Sequence, residues 1–535
     1  MALNDVSFQL GQGGLGRPLP GEDYISGIIF YNTAYMTSGA LPLASGPSGF
    51  VGTGKYIQQV FQVSDAEALG IVNDYSDETK ATAALTITAV GSVGNITTIS
   101  VAEPSPSGGK TFVVLCNYTQ TSTDSSTTMA QGITTAINNG TLTHGYVAAY
   151  LTADSGAEGV VTITARQGLG SYLNSQALQI SSSATAITTS PGSVTFSGGL
   201  SSKLAIYHYH ISEYFRIINE VSGQGSLYVG FFPSPNQSGS WAEVATMQNF
   251  ADGNLRQLAV YNDQATFSTS AVSGLQIAET ALDNLHMPLS ILYTANFVGL
   301  SGLSSLTDLS TLNSSKVSVV IGQDGAAQGW SLFQANAATT SITCLGATLG
   351  AVSAAAVSED IAWVGKFNLS DGTELDTAAF ADGTLYRSIA NSELTQIDNQ
   401  RYIFLRKFIG QTGTYFNDSH CAILQNSDYA YIENNRTIDK AKRGMYVSLL
   451  PALNSPLALN SDGTLADTTI SYLETLGEQP LQQMQRDGDL SNFQVTIDAT
   501  QNVLSTNIVK VNALLQPMGV ARNIQVTIGF TTSIQ

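Results

Sequence analysis

The chain has 535 residues, several times the size of an average domain, so we expect at least two domains with separate hydrophobic cores. Only 11% of the residues are charged, and acidic residues outnumber basic ones 40 to 21, for a net charge of -19. This acidic, mostly neutral-polar surface argues against binding to DNA or to an anionic membrane.

Cysteine usage and the first residues exclude further classes. The three cysteines, Cys116, Cys344 and Cys421, lie far apart without a C-x-x-C motif, so the sequence predicts neither a disulfide framework nor a zinc knuckle. The opening MALNDVSFQLGQGG lacks the basic and apolar regions of a signal peptide, and no run of roughly 18 apolar residues occurs. We expect a reducing cytoplasmic folding compartment and no membrane-spanning segment.

Two glycine patterns near the start resemble nucleotide-binding loops. Residues 11–16 match G-x-G-x-x-G, but residues 17–20 (RPLP) follow, where a phosphate-binding helix cannot begin. Residues 49–55 (GFVGTGK) match the first seven positions of a Walker A loop, but Tyr56 stands where the magnesium-binding Ser or Thr is required. We interpret the first as a flexible linker and the second as a surface turn entering a helix near residues 65–70.

The composition changes between residues 81 and 199, where Thr, Ser, Ala and Gly dominate and charges nearly vanish. Alternation of apolar and polar residues predicts strands at 85–90, 96–101 and 161–165. A helix is predicted over residues 127–138, because an apolar residue recurs there every four positions, as Met129, Ile133 and Ile137. We interpret residues 81–199 as an inserted, mostly β outer module, which faces outward and is not needed for assembly.

The residues on both sides of this module have the pattern of one α/β body. Strands are predicted at 203–211, 225–232, 254–262, 288–297 and 316–325, and helices at 273–287 and 348–360. The helix at 273–287 joins two of these strands in a β-α-β unit. We therefore assign residues 23–80 plus 200–400 to a single α/β core.

The C-terminal part combines helices with alternating strands. Helices are predicted at 436–446 and 467–484, and strands at 493–498, 507–515 and 523–530. The apolar residues of the last predicted strand are Ile524, Val526, Ile528 and Phe530. A shorter segment near the start, residues 6–10, also alternates apolar and polar residues, and its apolar residues are Val6, Phe8 and Leu10. Since neither has an obvious partner within the chain, we expect both to be arm strands that pair with other subunits. The remaining boundaries are 1–22 for an N-terminal arm, 401–520 for an α+β domain and 521–535 for a C-terminal arm.

Residues that could serve catalysis or metal binding form no recognisable pattern. His208 and His210 would share one face of a strand, but no third ligand follows at a suitable spacing and H-E-x-x-H is absent. G-x-S-x-G is also absent, and the sequence neighbours His420 and Cys421 say nothing about a nucleophile and its base in space. We expect no catalytic residue, no metal and no cofactor, and interpret the protein as not an enzyme.

The helix predicted at 436–446 concentrates basic residues. Four of the chain's 21 Lys and Arg residues fall within eight positions, as Arg436, Lys440, Lys442 and Arg443. Two interpretations remain open, namely a solvated helix face and a contact stripe for an acidic partner surface.

Several segments together resemble the tail sheath proteins of contractile phages and of phage-like contractile injection systems. The most specific are residues 401–422, residues 427–453 and the closing LLQPMGVARNIQVTIGF at 514–530. Their order is similar to the family's succession of a strand, an aspartate-led segment, an Arg-x-x-x-Lys-Ala helix and an I-x-V-x-I-G-F strand. Other similar segments are 24–31, 65–71 and 360–369, and the module at 81–199 resembles an insertion found in phage tail proteins.

The resemblance implies a sheath-type α/β core built from both flanks of the inserted module, with extended N- and C-terminal strand arms and residues 401–520 close to an inner tube. It implies a homo-oligomer of stacked hexameric rings around a tail tube, which contracts to drive the tube through a target cell envelope. The implied partners are further copies, the tail tube protein, and baseplate and tail terminator proteins, with no direct nucleic acid contact and no membrane insertion. The implied location is the virion tail, assembled in the bacterial host cytoplasm. The resemblance also makes the tube or an adjoining subunit the expected partner of the basic residues at 436–443.

Other functions fit the same composition. A tail-tube, baseplate or S-layer-like shell protein would also be polar, acidic and self-associating. A surface-binding or carbohydrate-binding protein could use the module at 81–199. A sheath subunit is expected to form long hollow cylinders by itself, whereas a binding protein is expected to remain a small oligomer.

Overall fold

The computed structural model describes residues 22–530 apart from residues 36–43, 106–108, 152–158, 184–186, 222, 236–240 and 301. These residues form an α/β body, a mostly β module inserted into it, and a smaller C-terminal region of helices and a hairpin. The predicted mixed α/β class is confirmed. No helix in these ranges is both long enough and apolar enough to cross a bilayer.

The body begins with a strand that is buried on both faces. The first elements are β1 (Ile25–Tyr31), β2 (Ile57–Val60) and α1 (Val63–Ala68). Six of the seven residues of β1 are buried, which explains why its sequence, ISGIIFY, is nearly continuously apolar and does not alternate.

The inserted module has two antiparallel sheets and its own core. Its elements are β3 (Thr82–Ala89), β4 (Ile96–Pro104), β5 (Lys110–Thr119), α2 (Ser126–Asn139), α3 (Thr141–His144), β6 (Val147–Leu151), β7 (Val160–Thr164), β8 (Gln179–Ser182) and β9 (Thr188–Ser190). The strand orders are β6-β7-β3-β9 and β5-β4-β8. The predicted helix is confirmed as α2, whose Met129, Ile133 and Ile137 are buried in the module core. Backbone bridges from Thr79 to Leu200 and from Thr82 to Ser197 hold the two ends of the module side by side.

After the module the chain completes the body. The elements are α4 (Leu204–Glu220), β10 (Ser226–Phe232), α5 (Ala242–Phe250), β11 (Gln257–Thr266), α6 (Thr269–Asp283), β12 (Ser290–Asn296), β13 (Val317–Val320), β14 (Gly322–Asp324), α7 (Gln328–Ala335), α8 (Leu345–Ala354), β15 (Ala378–Phe380), α9 (Asn391–Asn399), β16 (Tyr402–Ile403), β17 (Leu405–Arg406) and β18 (Tyr415–Phe416).

The main sheet has the strand order β16-β13-β12-β11-β1-β10-β2, and only β2 runs antiparallel to its neighbour. Helices α4 and α8 cover one face and helices α5 and α6 cover the other, so the body has three layers. The predicted β-α-β unit is confirmed, since β11 and β12 are parallel neighbours joined by α6. Strand β16 belongs to this sheet, although the sequence placed a domain boundary at residue 401.

The prediction of a strand at residues 203–211 is wrong, because these residues begin helix α4. Thirteen of the 17 residues of α4 are buried between the sheet and its neighbouring helices, so the helix lacks the polar face that would reveal its period. A short apolar run that is buried on every side cannot be assigned to a strand or a helix from periodicity alone.

The C-terminal region packs a hairpin against two long helices. Its elements are α10 (Ile432–Leu449), α11 (Asp467–Arg486), β19 (Leu490–Ile497), α12 (Val503–Thr506) and β20 (Val511–Pro517). The strand predicted from residue 507 begins later, because α12 precedes it and ends at Asn507 with a positive φ of 54°. Residues 518–530 contain neither helix nor strand.

Candidate assembly surface

The C-terminal hairpin presents a small sheet with unpaired edges. Within the described ranges β19 and β20 pair only with each other. One face packs against α11 through Leu490 and Val495, while Leu514 on β20 is 60% exposed. Free strand edges of this kind can accept a further strand from another chain.

The segment of residues 518–530 follows β20 and exposes the apolar side chains that the sequence predicts for an arm strand. Ile524, Val526, Ile528 and Phe530 are each at least 73% exposed. Within the described ranges no backbone hydrogen bond joins residues 523–530 to the rest of the subunit. A run of exposed apolar side chains is typical of an interaction surface. The other predicted arm residues, Val6, Phe8 and Leu10, lie outside the described residues.

Arg522 connects this segment to an acidic pocket on the body. Its Nε donates to both carboxylate oxygens of Asp418, at 3.0 and 3.1 Å. Its Nη2 lies 3.2 Å from an oxygen of Asp360 and also pairs with Glu433. The guanidinium carbon lies 3.4 Å from the centre of the Tyr431 ring. One side chain therefore makes three ion pairs and a cation–π contact.

Three acidic side chains of the pocket share the single guanidinium of Arg522. Asp360 and Glu433 are 7% and 2% exposed. Burial, and then repulsion by Glu433 and Asp418, raise the pKa of Asp360 to about 8. Burial lowers the pKa of Arg522, but the attraction of the three carboxylates outweighs this and raises it, so the guanidinium stays charged.

The sequence patterns do not predict these pocket residues. The carboxylates of Asp360, Asp418 and Glu433 are far apart in the sequence, and each sits among turn-forming or helix-capping residues that look ordinary. One signal was present, since Arg522 is the only charged residue between positions 511 and 535. A single charge in a long neutral stretch indicates a specific partner more strongly than a charge on a crowded face.

Arg436, the first of the four basic residues on α10, is buried inside the subunit. It is 4% exposed, and its Nη1 donates to the carbonyl oxygens of Ala355 and Ala356, at 3.1 and 3.2 Å, just after α8. Burial lowers the pKa of this guanidinium. For Arg436 both interpretations of the basic cluster are wrong, since a buried side chain forms neither a solvated face nor a contact stripe.

The other three basic residues pair with acidic groups of the same chain. Lys440 contacts Asp23 and Asp489, at 2.8 and 2.7 Å, and Arg443 contacts Asp23 at 3.1 Å. Burial raises the pKa of Asp23, but Lys440, Arg436 and Arg443 outweigh this and hold it below its usual value. Lys442, whose side chain is 47% exposed, pairs with Asp283 at 2.7 Å. The basic face of α10 therefore connects this helix to the residues just before β1, to the end of α6 and to the turn before β19.

Replacing Lys440 by Met is expected to lower the free energy of unfolding by roughly 3 kcal/mol, because Asp23 and Asp489 lose a shared partner in a mostly buried site. Urea denaturation measures this loss. Lys442→Met is the matched control on the same helix, and its half-exposed ion pair is expected to contribute under about 1 kcal/mol. Equal losses in the two variants would contradict a structural role for Lys440.

The loop at residues 49–55 does not have the geometry of a phosphate-binding loop. It leads into strand β2, whereas a Walker A loop leads into a helix whose N-terminal N–H groups bind phosphate. Tyr56 packs against Phe232, with ring centres 5.9 Å apart. The predicted surface turn therefore enters a strand before it reaches α1.

The paired histidines are separated by the helix on which they lie. His208 and His210 are two positions apart on α4, so their side chains point to nearly opposite sides. The Nε2 of His208 is 3.0 Å from Glu67, and His210 lies 4.3 Å from the Tyr261 ring, where burial lowers its pKa to about 3. Across the described ranges no group of three His, Cys, Asp or Glu residues could hold a metal ion.

His420 and Cys421 also have separate environments. His420 is 3.0 Å from Asp398, whereas the thiol of Cys421 is 3.6 Å from Ser318 and is buried. Burial raises the pKa of Cys421 to about 11, so its nucleophilic thiolate form is scarce at neutral pH.

Comparison with known proteins identifies matches to family models and similar solved structures. The family models described as "DUF2586, N-terminal domain" and "DUF2586, C-terminal domain" match residues 3–420 and 428–535. A chain of the cryo-EM structure of the anti-feeding prophage (AFP) baseplate, 6-fold symmetrised, is 13% identical, with 61% of this chain and 80% of that chain covered and a TM-score of 0.41. A chain of the same baseplate in its contracted state is 15% identical, with 61% and 83% covered and a TM-score of 0.37. No curated protein matches the sequence.

Proposed function

We propose that this chain, which belongs to the DUF2586 family over nearly all of its length, has one structural function, that of a contractile tail sheath subunit. In this proposal copies of the chain assemble as hexameric rings, stacked helically around an inner tail tube. Contraction of this polymer drives the tube through a target cell envelope. The partners are other copies, the tube protein, and baseplate and terminator proteins.

The observation that carries the proposal is the exposed segment beside a hairpin with free edges. Residues 523–530 alternate apolar and polar side chains, and the apolar ones are almost fully exposed. Strands β19 and β20 offer unpaired edges in the same region of the chain. Together they supply a strand to donate and an edge to receive it, which is what repeated subunits need in order to link into a polymer.

Two further features support a structural role. The segments at 401–422, 427–453 and 514–530 resemble those of sheath proteins, and they include α10, Asp418 and Arg522 itself. The residues that could suggest an enzyme do not come together as a nucleophile and its base. His420 contacts Asp398, whereas the buried thiol of Cys421 lies against Ser318, and His208 and His210 point to nearly opposite sides of α4. We therefore also propose that the chain catalyses no reaction.

Negative-stain electron microscopy of the purified chain tests the proposal. Long hollow cylinders with sixfold symmetry in cross-section are the expected result. Single rings that never stack would favour a baseplate component, and small discrete oligomers would favour a surface-binding protein. Either of these results would replace the sheath assignment.

Deletion of residues 81–199, with a short Gly-Ser linker in their place, is expected to leave a chain that folds and still forms cylinders. The module has a core of its own, and Thr79 and Leu200 are already bridged, so a linker can close the gap without moving the body. Circular dichroism and negative-stain images measure folding and assembly. Insoluble product, or folded product without cylinders, would contradict the assignment of the module to the outside of the polymer.

A further inference from the structure

The acidic pocket around Arg522 is assembled from separate parts of the subunit. Asp360 follows α8, Asp418 follows β18, and Glu433 lies in the first turn of α10. Tyr431 immediately precedes α10, and its ring also lies beside the Arg401 guanidinium, 4.8 Å from the ring centre. The pocket thus belongs to the body and α10, whereas Arg522 arrives from the segment after β20.

Contacts within the body orient the pocket carboxylates. The backbone N–H of Ala362 donates to Asp360 at 2.8 Å, and the hydroxyl of Ser419 donates to Glu433 at 2.5 Å. The backbone N–H of Ser419 donates to Asp418 at 2.8 Å. Each carboxylate therefore has a fixed partner besides Arg522, and the pocket has the character of a preformed receptor for a planar cation.

The contacts of Arg522 contrast with those of its neighbours. Among the described residues from 519 to 530, Arg522 alone has a side-chain hydrogen bond or an ion pair. The apolar side chains that follow it are exposed. Within this part of the described chain, Arg522 therefore supplies the polar side-chain contacts between the segment and the rest of the subunit.

We propose that this pocket is a latch, in which Arg522 holds the C-terminal segment to its own subunit and sets the point from which residues 523–530 extend toward a neighbouring copy. The holding of Arg522 is independent of the proposed function, and only the extension toward a neighbour rests on it. A guanidinium suits the latch because it bonds several carboxylates at once and stacks on Tyr431, which a lysine ammonium does with less geometric fit.

Trypsin tests the latch directly, since it must take the arginine side chain into its own specificity pocket before it cuts after Arg522. In dilute wild-type chain, verified as monomer by size exclusion, cleavage after Arg522 is expected to be slower than cleavage after the exposed Lys510, which serves as the internal control. Asp418→Asn and Glu433→Gln are expected to speed cleavage after Arg522 about tenfold or more, as for loss of one charge-assisted hydrogen bond. Cleavage after Lys510 is expected to remain unchanged.

The outcomes separate the latch from the proposed function. Wild-type cleavage after Arg522 as fast as after Lys510, or no acceleration in either variant, would overturn the latch. Faster cleavage after both Arg522 and Lys510 in a pocket variant would show general unfolding of that variant. In that case Arg522→Lys, which keeps the pocket residues, tests the latch. A latch specific for guanidinium predicts that cleavage after residue 522 is faster in Arg522→Lys than in wild type. Cylinder formation is scored separately, so a latch without cylinders would leave the inference standing and remove the sheath function.

Discussion

A chain that lacks residues 523–535 is expected to remain a folded monomer and to form no cylinders. The apolar side chains of residues 523–530 contribute little to the subunit's core, because they are exposed in the isolated chain. Buried against a neighbour, each would contribute roughly 1.5–3 kcal/mol before ordering costs, and each main-chain hydrogen bond a net of roughly 0.5–1.5 kcal/mol. Thermal unfolding should therefore shift by less than about 2 °C, while negative-stain images should show no polymer.

Paired substitutions refine this expectation without shortening the chain. Val526→Asp with Ile528→Asp places charges on the apolar face of the segment and is expected to abolish cylinders. Gln525→Asp with Thr527→Asp adds the same charge to the opposite face and serves as the matched control, for which cylinders are expected to persist. Cylinders from the first variant would show that the contacts lie elsewhere. Unfolding of the truncated chain would show that the segment belongs to its own subunit's core.

The sequence predicts elements well where burial is one-sided or the segment is long. Helices α2, α6 and α11 carry clear periodic patterns, because each has one apolar face and one polar face. Helix α4 was missed for the opposite reason. It is buried on almost all sides, and the polar atoms of its Tyr and His side chains are buried as well, so its sequence shows no face.

Charged side chains of the candidate surface could be found in the sequence, but their partners could not. The basic cluster on α10 is visible in the sequence, yet Lys440 is paired with Asp23, more than 400 residues away, and with Asp489. Arg522 likewise finds its carboxylates through the tertiary fold. Local patterns identify a charge, whereas its partner depends on long-range packing, so the interpretation of a solvated or partner-facing stripe failed for Arg436.

Replacing Gly346 by Ala is expected to destabilise the subunit by about 3 kcal/mol or more, against the gain of up to about 1 kcal/mol that alanine normally brings to a helix interior. Helix α8 packs against α4 with its backbone in direct contact. A Cβ atom at position 346 would overlap the carbonyl oxygen of His210, and one at Gly350 would lie 2.6 Å from the carbonyl oxygen of Tyr214. Backbone atoms of a buried helix cannot rotate away as a side chain can, so the helices must separate.

Urea denaturation of Gly346→Ala measures this cost, and Gly477→Ala in α11 is the matched control. The atoms nearest to a Cβ at Gly477 belong to the side chains of Val495, at 3.2 Å, and Met445, at 3.6 Å, which can shift by a few tenths of an ångström. Its stability is therefore expected to stay within about 1 kcal/mol of wild type. Because α8 ends at the carbonyl groups that bind Arg436 on α10, a loosened α4–α8 contact should also release the C-terminal region. Gly346→Ala should therefore reduce both the amount of soluble subunit and the number of cylinders, whereas removal of residues 523–535 should abolish cylinders alone. A soluble Gly346→Ala chain of wild-type stability would show that α4 and α8 can separate at little cost.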